Sequence, residues 1–318
     1  MSFKPRILFL GTPEFAVPSL RRIVEDEFPV VGVVTAPDRP ADRGLRLKSS
    51  PVKVFAKQAG LTILQPENLK DPSFLESLKM LKPDIGVVVA FRMLPQQVWT
   101  LPHLGMFNLH ASYLPQYRGA APMNWAIING EQQTGLTTFL LNEAIDTGRI
   151  LFRERISIGS DETVGEIHDR LMIAGAALVV RSIIYLASGD IKPIDQAVLI
   201  ADGEKLKAAP KIFRHDCRIG WDQNVHSIYN RIRGLSPYPG AYTDLIFPDG
   251  SSHELKIYLA QAEVSPVHLS PGTFLYDGKR TLKVAAKNGY IHLKYIHLAG
   301  RKPMETSEFL KGYAFCFV

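Results

Sequence analysis

In the first half of the chain, apolar residues come in short runs separated by stretches whose apolar positions recur with a helical period. Residues 6–10 (RILFL), 30–35 (VVGVVT), 62–64, 84–90 (DIGVVVA) and 106–110 (MFNLH) read as strands. Such runs are too short for helices and rich in β-branched residues. Between them the spacing predicts helices over 19–27, 51–58 and 71–81. Ser50-Pro51 and Asp71-Pro72 mark two helix starts: a side-chain oxygen caps the first turn, and a proline stands where no N–H is needed. A strand pair over 135–141 and 149–158 follows, then the longest helix, 161–187, with acidic residues in its first turn, where the helix dipole favours them.

Strands apolar on both faces that alternate with helices predict an α/β fold, a Rossmann-like, mostly parallel sheet with helices on both faces. Ligands of such sheets sit beyond the carboxyl ends of the strands, so chemistry is to be sought after Leu10, Thr35, Ala90 and His110. Gly11-Thr12-Pro13 is no dinucleotide fingerprint: the G-x-G-x-x-G spacing is absent, and Pro13 lacks an N–H. Residues 188–210, with Gly189-Asp190, Pro193 and Pro210, read as a linker. Beyond it one helix (223–234) precedes short strands at 242–247, 255–260, 282–286 and 290–295, separated by turns such as Asp277-Gly278 and Asn288-Gly289. That pattern predicts a small C-terminal β-barrel, OB-like, an architecture common among nucleic-acid binders. The expected organisation is a catalytic domain over 1–188, a linker over 189–210 and a barrel over 211–318.

Length and composition fit this division. At 318 residues two domains are the default, and 46% apolar with 21% charged residues suits a sizeable core. Two distant cysteines, Cys217 and Cys316, argue against a disulfide framework or a cysteine zinc site and for a reducing compartment. The apolar run at 7–10 is too short for a signal-peptide core, and no stretch is expected to approach the roughly 18 apolar residues of a spanning helix. A soluble, cytoplasmic chain without a membrane partner is therefore expected. The net charge of +6 is unevenly spread: residues 201–318 hold 16 Lys and Arg against 11 Asp and Glu, and residues 1–200 hold 21 against 20. A basic C-terminal third suits a polyanion, although a solvated basic face has the same composition. Of the aromatics there, Trp221, Tyr229, Tyr238 and Tyr242, packing is favoured over base stacking.

The most informative stretch is residues 107–119 (FNLHASYLPQYRG). Asn108 and His110 share one face of a strand, so an amide donor and an imidazole stand together at its carboxyl end. Alone, the pair fits either an oxyanion site or a buried histidine beside a loop-bracing asparagine. Asn-x-His, followed by S-x-L-P-x-x-R-G and, some 35 residues later, by Asp146-Thr147-Gly148, resembles the signature of folate-dependent formyltransferases. Within that family the resemblance continues, over nearly the whole chain, to the branch that acts on methionyl-tRNA. Its carriers are Gly11-Thr12-Pro13-Glu14-Phe15, the basic loop from Thr35 to Gly44, Ser50-Pro51-Val52-Lys53, Arg118-Gly119-Ala120-Ala121-Pro122 and Gly300-Arg301-Lys302-Pro303-Met304.

The resemblance implies Asn108, His110 and Asp146 as catalytic residues, Ser112, Tyr113, Leu114 and Pro115 as the folate turn, 10-formyltetrahydrofolate as co-substrate, and the initiator methionyl-tRNA as partner. Chemistry agrees. Formyl transfer to an amine passes through a tetrahedral adduct with an oxyanion, to which Asn108 could donate. His110 could also donate, or take the amine proton, and Asp146 could tune His110 or accept that proton through a water. Arg118 is either a ligand-facing cation or a loop-stabilising hydrogen bonder. No HExxH or cysteine-rich spacing exists, so no metal is expected. For tRNA the candidates are Arg39, Arg43, Arg46 and Lys48 in the basic loop and Arg301 and Lys302 near the C-terminus. A monomer is expected. Three positions depart from the family pattern: Tyr113 replaces leucine, Arg92 stands in a loop that is usually longer and glycine-containing, and Arg149 stands where an acidic residue often follows Asp-Thr-Gly. Formyl transfer onto a small amine is the competing reading.

Overall fold

A computed structural model describes residues 4–41 and 46–313. Contacts divide the chain into two units, one of residues 1–118, 135–156 and 168–207, the other of residues 119–134, 157–167 and 208–318.

The strands of the first unit are β1 (Ile7–Gly11), β2 (Val30–Val34), the hairpin β3 (Arg39–Ala41) and β4 (Arg46–Lys48), β5 (Ile63–Leu64), β6 (Ile85–Val89), β7 (Met106–His110), β8 (Arg118–Gly119), β9 (Gln133–Leu140) and β10 (Ile150–Ser157). Seven form one sheet in the order β10-β9-β7-β6-β1-β2-β5. β5, β2, β1, β6 and β7 run parallel, and β9 is antiparallel to β7. The expected mostly parallel sheet is present. Its central strands β1 and β6 are buried at every residue, as continuous apolar runs require. Helices are α1 (Val17–Glu25), α2 (Pro51–Gln58), α3 (Pro72–Met80) and α4 (Gln96–Trp99). Both expected caps form: Ser50 accepts from the Lys53 N–H, and Asp71 from those of Ser73 and Phe74. α3 and α4 cover the sheet face of Leu8, Val88 and Met106. In the second unit, α5 (Pro122–Ile128) follows β8.

The opposite face carries α6 (Val164–Ala187), a correction to the expectation that no stretch could span a membrane. By length and composition α6 is apolar enough to do so. Residues 171–188 contain a single charge, Arg181. Half of its apolar window is buried in the protein. A side chain at Gly175 would come within 2.6 Å of Leu109 Cδ2, so glycine permits the helix's close approach to β7. Ser182 Oγ lies 2.7 Å from Thr138 Oγ1 on β9.

Residues 189–207 run back along the first unit. Ile194 exchanges backbone hydrogen bonds with Ile150 at 2.8 and 2.9 Å. Asp195 caps a short 3-10 turn, Gln196–Leu199, in which Gln196 is only 1% exposed.

After β11 (Ala208–Ala209), the second unit adds α7 (Val225–Leu235), β12 (Ala241–Ile246), β13 (Ser252–Val264), β14 (Phe274–Tyr276), β15 (Leu282–Ala286), β16 (Gly289–Leu298), β17 (Met304–Glu305) and α8 (Thr306–Tyr313). They make a curled antiparallel sheet, β12-β13-β16-β15-β14, with β17 on β16. Register shifts between Ile257 and Ala260 bend the two longest strands. Ile228, Ile232 and Leu235 of α7 pack with Leu255, Ile257, Leu293 and Phe309. Trp221, Tyr229 and Tyr242 lie half-buried against this core, whereas Tyr238 is 83% exposed.

Candidate active site

β7 ends at the carboxyl edge of the parallel sheet, and its alternation decides what is presented there. Leu109 faces α6, so Asn108 and His110 face the other way. Asn108 is half-buried, and its side chain makes no hydrogen bond to protein among the described residues. His110 is 6% exposed. Its Nε2 lies 2.9 Å from the carbonyl of Tyr117, and a carbonyl can only accept, so Nε2 is assigned the proton. In the neutral ring Nδ1 then carries a lone pair. Nδ1 lies 3.9 Å from Oδ2 of Asp146, close enough for electrostatic coupling but too long for a direct hydrogen bond.

Asp146 reaches this position through an unusual backbone. Its φ is +54°, in the left-handed region that aspartate tolerates better than most residues. Gly148 follows for a different reason: a Cβ there would lie 1.6 Å from the carbonyl oxygen of Leu140. Thr147 Oγ1 bonds Asn142 and the Ala144 carbonyl. The Asp-Thr-Gly motif is thus a tight turn pressed against the end of β9. Gln196 braces it from behind, its Nε2 donating to the carbonyls of Asp146 and Gly148, each at 2.9 Å. Oε1 of Gln196 accepts from Arg118 Nε at 3.0 Å and Nη2 at 2.7 Å. Of the two readings of Arg118, the loop-stabilising contact is the one present.

The Ser112–Pro115 turn is internally braced. Ser112 is buried and its hydroxyl donates to the Gln116 carbonyl at 2.7 Å. Thr137 Oγ1 donates to the Ser112 carbonyl at 2.7 Å and accepts from the Leu114 N–H at 3.1 Å. Arg153 donates to the Leu114 carbonyl at 3.0 Å. Leu114 and Pro115 are buried and Tyr113 is half-buried.

The basic loop after β2 is a hairpin rather than an irregular loop. Arg39 lies directly opposite Lys48, and both side chains are exposed on one face. Arg46 pairs through its backbone with Ala41, and Arg43 lies outside the described residues. The hairpin's base is anchored by Asp38, which binds Lys53 Nζ and, at 3.1 Å, Gln65 Nε2. The Lys53 bond first and the Gln65 bond second hold the Asp38 carboxyl below the usual range. In the second unit, Arg301 and Lys302 are exposed, with Arg301 Nε donating to the Tyr313 hydroxyl at 3.0 Å. No cluster of three His, Cys, Asp or Glu side chains suited to a metal exists among the described residues.

Sequence reading missed Tyr117, Thr137 and Gln196, all of which support the imidazole or the loops around it. One signal was available: Gln196 is the amide at the head of an otherwise apolar QAVLI run, a place where burial demands partners.

Two family models match: formyl transferase over residues 5–183 and the formyl transferase C-terminal domain over 211–314. The methionyl-tRNA formyltransferase of Bacteroides thetaiotaomicron is 47% identical over 97% of this chain and 95% of its own. That of Phocaeicola vulgatus is 49% identical over the same shares. The chain belongs to the methionyl-tRNA formyltransferase family. Solved structures similar in fold include HypX from Aquifex aeolicus in complex with tetrahydrofolic acid (TM-score 0.64, 19% identity, 98% of this chain and 48% of that one). Another is the N-formyltransferase from Helicobacter canadensis in complex with folinic acid and dTDP-3-aminofucose (TM-score 0.65, 19% identity, 91% and 98%).

For a formyltransferase, two of the three departures from the family pattern have local accounts. The guanidinium groups of Arg153 and Arg155 lie 4.3 and 4.7 Å from the centroid of the Tyr113 ring, a cation–π arrangement that leucine could not make. Arg92 is committed to the carbonyls of Pro66 and Glu67.

Proposed function

We propose that this formyltransferase moves the formyl group of 10-formyltetrahydrofolate onto the free amino group of methionyl-tRNA, in its initiator form, for translation initiation. The observation that carries the reading is the convergence of Asn108, His110 and Asp146 at the carboxyl edge of the sheet. Near-full-length identity of 47–49% to proteins of that name supports the tRNA acceptor.

The folate supplies the electrophilic formyl carbon; the residues of this chain bind, orient and move the proton. The side-chain amide of Asn108, which makes no hydrogen bond to protein among the described residues, is the donor toward the oxygen on which negative charge develops. With its Nε2–H given to Tyr117, neutral His110 presents a lone pair at Nδ1 and suits proton removal from the attacking amine. Once protonated, that nitrogen faces the Asp146 carboxylate, which stabilises the imidazolium. The braced Ser112–Pro115 turn forms one wall for the pterin. Residues 1–188 are assigned the chemistry, the basic residues Arg39, Arg43, Arg46 and Lys48 the acceptor end of the tRNA, and residues 211–318, with Arg301 and Lys302, its phosphate backbone. The chain acts in the cytoplasm as a monomer.

The test is transfer of a labelled formyl group from 10-formyltetrahydrofolate to charged methionyl-tRNA by the purified chain. Formylmethionyl-tRNA as product supports the reading. Turnover on a small amine, such as an amino-sugar nucleotide, with none on methionyl-tRNA would keep the chemistry and overturn the acceptor.

A further inference from the structure

The imidazole of His110 is flanked by two backbone elements in the left-handed region, Tyr117 at φ +61° and Asp146 at φ +54°. Such conformations cost of order 1–3 kcal/mol each and persist only where the surroundings over-determine them. Both are held by residues 196–207. The Tyr117 N–H donates to the Lys207 carbonyl at 2.6 Å, and the Asp146 carbonyl accepts from Gln196 Nε2 at 2.9 Å. The same amide also holds Gly148 and accepts twice from Arg118. All four hydrogen-bonding sites of the Gln196 side chain are therefore filled, and at 1% exposure no water can substitute for a missing partner.

We infer that Gln196 is a positioning residue for formyl transfer: it fixes the Asp146 turn so that the carboxylate faces Nδ1 of His110, and Arg118 fixes the orientation of its amide. The inference rests on the catalytic reading of Asn108, His110 and Asp146. Only an amide fits. Its oxygen must meet two guanidinium N–H groups while its nitrogen meets two carbonyls, and Arg118 decides which end points where. A glutamate would keep the Arg118 contact and set a carboxylate oxygen against the carbonyls of Asp146 and Gly148, pushing the turn away from His110. Misplacing a reacting group by 1 Å can cost about 10²-fold in rate.

The experiment is steady-state formyl transfer from 10-formyltetrahydrofolate to charged methionyl-tRNA, by the full chain and by Gln196→Glu, Asp146→Asn and the double variant. Gln196→Glu is expected to lower kcat by about 10–100-fold, with KM for both substrates within about 2-fold of wild type. Because it acts through Asp146, it should cost nothing further once Asp146 is asparagine. Should Gln196→Glu fail to fold, Arg118→Gln frees the amide's orientation from a half-buried position and should show the same dependence on Asp146. If wild type is active and Asp146→Asn impaired, an unchanged kcat or an additive penalty overturns the positioning role alone. An inactive wild type, or full activity in Asp146→Asn, overturns the catalytic reading and this inference with it.

Discussion

Nδ1 of His110 and Oδ2 of Asp146 face each other across 3.9 Å, although 36 positions in sequence separate them. At that distance the pair is too far apart for a direct hydrogen bond, yet close enough for the carboxylate to stabilise an imidazolium that forms there. Asp146→Asn should therefore lower kcat by about 10²–10⁴. Asn108→Ala should lower it by about 10²–10³. Folate affinity should change little in either. Steady-state kinetics with both substrates checks this, and a defect confined to KM would reassign both residues to binding.

The Tyr117 carbonyl fixes the His110 tautomer. Nitrogen NMR of imidazole-labelled protein should show neutral His110 protonated on Nε2 and bare on Nδ1. The reverse tautomer would remove the argument that His110 is placed to accept a proton.

Gly148 stands where a Cβ would meet the Leu140 carbonyl at 1.6 Å, a backbone oxygen that cannot swing aside. Gly148→Ala should destabilise the first unit by about 1–3 kcal/mol through overpacking and displace Asp146 with the turn. Urea unfolding midpoints together with activity report on both; a variant of full stability and activity would show that the turn has slack.

If the hairpin meets tRNA, Arg39→Ala and Lys48→Ala should raise KM for methionyl-tRNA and leave kcat nearly unchanged. Removing one phosphate-binding cation should flatten the dependence of log affinity on log salt by about 0.7–0.9. Binding isotherms at several salt concentrations measure the slope. Equal slopes for wild type and variants would mean that both cations are merely solvated.

In the second unit, the Tyr229 hydroxyl donates to Asp161 at 2.7 Å. Burial first, and then this bond, push its pKa from 10 up to about 12. A raised folded pKa stabilises the protonated form, so the contribution is complete below pH 10 and is lost as pH rises from about 10 to 12. The unfolding midpoint of wild type should fall more steeply across that window than that of Tyr229→Phe. Parallel curves would show that the pair adds nothing pH-dependent.

Local chemistry made much of this protein readable from its sequence. The Ser50 and Asp71 caps, the buried runs of β1 and β6, and the alternation that puts Asn108 and His110 on one face all depend on neighbours within a few residues. The α7 helix and the turns before β15 and β16 are of the same kind. The motif pair around His110 and Asp146 carried the resemblance to folate-dependent formyltransferases.

Other features depend on partners far along the chain. Apolar α6 is a core helix only because Gly175 meets Leu109, and residues 189–207 take their course from Ile150 and from the donors and acceptors around Gln196. The short strands β14 and β17 and the helix α8 form against an existing sheet and core, with little periodicity of their own. Sequence alone determined the central strands of the first sheet and which of their side chains share a face, since hydrophobic period and side-chain type are local. Only the tertiary structure decided which nitrogen of His110 faces Asp146 and what holds the Asp146 turn in place, because both depend on hydrogen bonds between residues 7 to 90 positions apart.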